Sequence, residues 1–80
     1  MGKIAIFSAI LYNPDHNQEE FNKVVSKNKH IIRGRMGLPF SDRDIAVITI
    51  TVDGNLEQIK AMDEELSKIP ESTVNVLISQ

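Results

Sequence analysis

Two arginines flank a glycine in the run Arg33-Gly34-Arg35-Met36-Gly37-Leu38-Pro39-Phe40, the stretch of this chain with the most chemistry in it. Guanidinium groups at that spacing, on one face of a strand, can grip a carboxylate or phosphate through paired hydrogen bonds. An edge strand leaving its sheet explains the same residues without a ligand, because charge on an edge discourages further pairing. The edge-strand reading requires less and is the stronger.

Other reactive side chains are scattered. His16 and His30 are the two imidazoles, with no HxxxH or CxxC partner, so the ligand set of a metal site is missing. The chain has no cysteine, hence no disulfide scaffold, thiolate ligand or cysteine nucleophile. Ser8, Ser26, Ser41, Ser67, Ser72 and Ser79 lack the context of a nucleophile elbow, and no Gly-rich phosphate loop is present. Asp42 and Asp44 belong to a turn, and Glu57, Asp63, Glu64 and Glu65 to a solvated helix face. Neither a catalytic constellation nor a cofactor is expected, and no metal.

The elements that must position these residues are clearer than the residues themselves. Lys3–Leu11 predicts a strand with two apolar sets: Ile4, Ile6 and Ile10 on one side, Ala5, Phe7, Ala9 and Leu11 on the other. Asn13-Pro14 predicts a helix start, with Asn13 as cap and Pro14 in the first turn. Phe21, Val24 and Val25 then form a buried helical stripe, and Asn28 ends it. His30–Met36 predicts a polar edge strand with Arg33 and Arg35 on one face and Ile32 and Met36 on the other; residues 37–42 read as a loop. Asp44–Val52 is β-branched almost throughout and predicts the strongest strand.

Asn55 and Gln58 have the spacing of a capping box. Leu56, Ile59, Met62, Leu66 and Ile69 give the second helix its apolar stripe, and Pro70 stops it. Thr73–Ile78 predicts a last strand with Val74, Val76 and Ile78 inward. The order βαββαβ is the ferredoxin-like α+β arrangement, one four-stranded antiparallel sheet with two helices on one face. The first and third strands should be central, the charged second and short fourth at the edges. Residues 1–80 are expected to form one domain.

Eighty residues sit near the lower limit for a self-sufficient core, so burial against a second copy would help. The face opposite the helices is expected to carry Phe7, Leu11, Ile45, Val47 and Leu77, with Phe7, Leu11, Val47 and Leu77 forming an oligomer interface. A net charge of −2 with interspersed signs argues against direct nucleic-acid binding. RNA readers of this fold stack bases on aromatics of the central strands, and Ile45–Thr51 has none. The loop Leu11–Asp15 does not resemble the phosphate cradle of acylphosphatase-like enzymes. The apolar run after Lys3 ends at Leu11, too short for a membrane span and without a small-residue cleavage site, so no membrane association and a cytoplasmic location are expected.

His30–Phe40 followed by Asp44–Gly54 resembles the small family of iron-only hydrogenase system regulators. Its members pair a Gly-Arg-Met-Gly-φ-Pro-aromatic segment, here Gly34–Phe40, with an apolar strand, a helix and a Val-rich last strand. The resemblance runs along most of the chain from Lys3. It implies an ACT-like domain, similar to the C-terminal domain of the nickel-responsive repressor, of a kind that binds small effectors at subunit interfaces. The repressor's nickel site uses several histidines and a cysteine, so nickel sensing does not carry over, and no segment remains for a DNA reader.

The function expected is a non-catalytic regulatory or effector-binding module working as a homodimer or higher homo-oligomer. Its effector would be a small anion held near Asn13, Arg33, Arg35 and Gly37. The alternative is a structural or protein-interaction subunit without a ligand; third comes an enzyme on the same fold.

Overall fold

The computed structural model describes residues 2–80; Met1, the first residue of the expected domain, lies outside them. The elements run β1 (Lys3–Tyr12), α1 (Pro14–Lys27), a 3-10 turn (Lys29–Ile31), β2 (Ile32–Phe40), β3 (Ile45–Gly54), α2 (Leu56–Ser67) and β4 (Ser72–Ile78). The strands lie in the order β2-β3-β1-β4, and each neighbouring pair is antiparallel. The apolar β1 and β3 are therefore central, as their composition predicts. The order βαββαβ and the two helices make this a ferredoxin-like α+β fold.

α1 and α2 cover one face and share its core with the sheet. Phe21 and Val25 of α1 and Ile59, Met62 and Leu66 of α2 are buried against Ala5, Phe7, Ala9 and Leu11 of β1 and Ile48, Ile50 and Val52 of β3. Val74, Val76 and Ile78 of β4 pack against the same core. At the start of α2, Asn55 accepts from the Gln58 amide at 2.8 Å and Gln58 Oε1 accepts from the Asn55 amide at 2.9 Å, the reciprocal box the spacing predicts. A salt bridge of 2.7 Å between Lys27 and Glu65 joins the two helices at their surface.

Three expectations need correction. Asn13 sits at the helix-cap position, but its backbone is left-handed (φ 49°) and its side chain makes no capping bond; the amide turns to Glu71 instead. β2 does not stop at Met36 but runs to Phe40, through Gly37 and Pro39, because an edge strand tolerates a residue that lacks an N–H. Phe7 and Leu11 are 0% and 1% exposed, beneath the helices rather than on the opposite face. Ala5 and Ala9 lie in the same buried set.

Candidate functional site: the open face of the sheet

Because successive side chains alternate, the other set of each strand forms a face that neither helix covers. The strand registers arrange it in rows across β2, β3, β1 and β4. One row is Gly34, Thr51, Ile6, Leu77; the next is Met36, Thr49, Ser8, Asn75; the third is Leu38, Val47, Ile10, Thr73. Phe40, Ile45 and Tyr12 close one end, and Arg33, Asp53 and Ile4 the other. Met36 is 67% exposed, Leu38 54% and Leu77 70%. Ile4, Ile6 and Tyr12 are exposed as well. The charged side chains of this face, Arg33 and Asp53, neutralise each other at 3.1 Å.

The parity of β2 is set by a bulge. The pairing shifts between Ile32 and Gly34, so Arg33 is an extra residue and the alternation slips by one. Ile32 therefore packs toward the core, whereas Met36 and Leu38 stand on the open face opposite Thr49 and Val47. The expected pairing of Arg33 and Arg35 on one face is thereby undone. Arg33 joins Asp53, and Arg35 points to the helix side, its Nη2 3.5 Å from Asn22 Oδ1 on α1.

The four expected effector residues do not converge. Arg35 and Gly37 share the helix side of β2, and Arg33 lies on the other face. Asn13 is at the far end of β1 from Arg33, about 30 Å along the strand at the usual rise per residue. There its amide nitrogen donates to the Asp44 carbonyl at 3.1 Å, and its side chain meets Glu71. Asn13, Asp44 and Glu71 are the non-glycine residues with positive φ among those described, so the bond network at this end holds three left-handed residues together. Of the four expected interface residues, Val47 and Leu77 are on the open face and Phe7 and Leu11 are not.

The sequence reading missed Ile4, Ile6, Met36 and Leu38 as members of this surface. For β1 a signal was available. The set containing Ala5 and Ala9 suits close helix packing, while a set rich in β-branched isoleucine (Ile4, Ile6, Ile10) suits a sheet surface.

Clefts on the molecule are open to solvent. A depression of about 220 Å³ on the open face is lined by Gly34, Arg35, Met36, Thr49 and Thr51. A groove of about 270 Å³ lies by Ile4, Ile6 and Leu77. Another, of about 420 Å³, separates the start of α1 from the β2–β3 hairpin at Pro14, Asp15, Pro39 and Asp44. A fourth, about 590 Å³, is a shallow surface along α1 at Gln18, Glu19, Asn22, Lys23 and Ser26. Among the described residues no group of three or more His, Cys, Asp or Glu side chains could hold a metal ion, and no helix is long and apolar enough to cross a membrane.

These features define a small ferredoxin-like domain whose most distinctive surface is an uncovered, charge-balanced sheet face. Residues 3–76 match the TM1266-like family, described as "Iron-only hydrogenase system regulator, putative", and the chain belongs to that family. The fold is similar to that of the uncharacterized protein TM1266 of Thermotoga maritima, with a TM-score of 0.94, 16% identity and full coverage of both chains. It is also similar to the C-terminal domain of the MgtC protein of Mycobacterium tuberculosis (TM-score 0.67, 18% identity, 98% of this chain and 88% of that one). A third likeness is to SnoaB, a cofactor-independent oxygenase of Streptomyces nogalater (TM-score 0.61, 11% identity, 100% and 93%). At these identities the likenesses are of fold. No curated protein matches the sequence significantly.

Proposed function

We propose that this chain is a small regulatory, effector-binding module without catalysis of its own, and that it works as a homo-oligomer whose copies meet through the open sheet face. Family membership supports the regulatory role. The observation that carries the oligomer is the face itself: Ile4, Ile6, Met36, Leu38 and Leu77 stand in water on a surface whose charges cancel. An uncovered apolar surface of this kind marks a site of association.

A small anionic effector has its best partner in Arg35. Arg33 is engaged by Asp53, whereas Arg35 reaches only the neutral Asn22 on α1. A guanidinium with no carboxylate partner favours a carboxylate or phosphate. Thermal-shift measurements with a panel of small carboxylates and phosphates test this directly. A member that raises the melting temperature of the wild type and not of Arg35→Ala supports the site. An unchanged response in Arg35→Ala places the effector elsewhere.

A further inference from the structure

If copies meet through the open face, as proposed above, the side chains of that face also fix how they meet. Two sheets packed face to face by a two-fold have the axis between them, in the plane of contact. An axis across the strands lays each strand over its own counterpart. The row on the axis then meets itself, and rows at equal distance on either side change places.

The geometry points to a dimer whose two-fold axis crosses the strands at the Met36–Thr49–Ser8–Asn75 row, with Leu38 of each copy seated in the Gly34 depression of the other. The row on the axis suits self-contact. Asn75 both donates and accepts and is long enough to bond to its own copy, Ser8 and Thr49 can share bridging water with theirs, and Met36 meets Met36 at the opposite edge.

The flanking rows exchange, bringing Leu38 over Gly34, Val47 over Thr51, Ile10 over Ile6 and Thr73 over Leu77. The protruding leucines of the two edge strands thus face the smallest partners available. The depression beside Gly34 holds about 220 Å³, and a Cβ added at Gly34 would meet nothing within 4 Å beyond its chain neighbours. On the central strand Ile4 comes over Tyr12, so β1 meets β1 through apolar side chains on both sides of Ser8. At the rim Arg33 comes over the Phe40 ring, a favourable cation–aromatic contact.

An axis along the strands would also bring a leucine, Leu77, over Gly34, and both axes set Asp53 against an isoleucine, Ile45 in one case and Ile4 in the other. It fits less well because it lays Met36 on Asn75 and leaves Phe40 uncovered. The footprint is about 26 Å by about 19 Å, or about 500 Å² per copy, from strand rise and spacing. The pair therefore reaches the total of about 1,000 Å² that a specific interface needs.

The chain lacks cysteine, so single cysteines report on this geometry without background. Asn75→Cys and Met36→Cys lie at opposite edges of the face and are treated, separately and mixed, with a bis-maleimide matched to the sheet separation of about 10 Å. The expected result is covalent dimer from each variant alone. Dimer only from the mixture means an axis along the strands, and dimer from Asn75→Cys alone means pairing through the β4 edge; either overturns the proposal. Sedimentation of the wild type separates this from the reading beneath it, since a monomer removes both.

Gly34→Leu provides the second test: it should fold with the wild-type circular-dichroism spectrum and sediment as a monomer. A folded Gly34→Leu dimer of wild-type affinity would contradict the seating of Leu38.

Discussion

Asn55 and Gln58 each satisfy a backbone N–H at the start of α2 through the other's position. Replacing Asn55 by alanine should lower unfolding free energy by about 1 kcal/mol in urea titration. Just before the cap, Gly54 is buried, and a methyl group there would lie 3.0 Å from Gln58 Oε1 and 3.2 Å from Ile31 Cγ2. Gly54→Ala should therefore destabilise, although alanine usually gains from a stiffer unfolded chain. Asp44, left-handed at φ 52°, calls for the opposite change. Asp44→Gly should be more stable than Asp44→Val by about 1–2 kcal/mol, since only glycine adopts that backbone freely. Arg33→Ala removes a surface ion pair and should cost less than about 1 kcal/mol. The capping box was legible because both partners lie within one turn. The turning of Asn13 toward Glu71 was not, because that contact joins residues far apart in the chain.

Strand order could be read from how apolar each strand is, and the helix stripes from periodicity, since each helix has a single apolar side; Leu56 at the start of α2 is the exception, expected in the stripe but exposed. β1 has two, and periodicity alone does not say which one the helices cover. Ala5, Phe7, Ala9 and Leu11 are the covered set, and Ile4 and Ile6 the open one. Substitutions should separate them sharply. Phe7→Ala should cost about 3–5 kcal/mol, the usual penalty for emptying a core aromatic site, whereas Ile6→Lys should leave the monomer folded and weaken association. Chemical denaturation monitored by circular dichroism, beside sedimentation of each variant, distinguishes the two losses. In β2 the obstacle was the bulge at Arg33, which inverts every later side chain. The neighbouring glycine marks such a site only loosely, so Arg33 and Arg35 read as one face when they lie on two.

For the whole molecule the deciding quantity is the apolar surface left in water. Fully burying an exposed leucine, isoleucine or methionine is worth about 1.5–3 kcal/mol. Ile4, Ile6, Met36, Leu38 and Leu77 all stand on the open face. Partial burial and the freedom lost on association reduce that sum, yet it remains large beside the roughly 5–15 kcal/mol that holds a typical domain folded. The proposed self-association would also suit the proposed regulatory role, because a contact between copies gives a small effector something to strengthen or loosen. Sedimentation velocity at micromolar concentration, on the wild type and on Ile6→Lys, tests this most directly. The wild type should sediment as a dimer or higher oligomer, and Ile6→Lys as a folded monomer. A wild type that is well folded and monomeric, with its open face in water, would contradict the account.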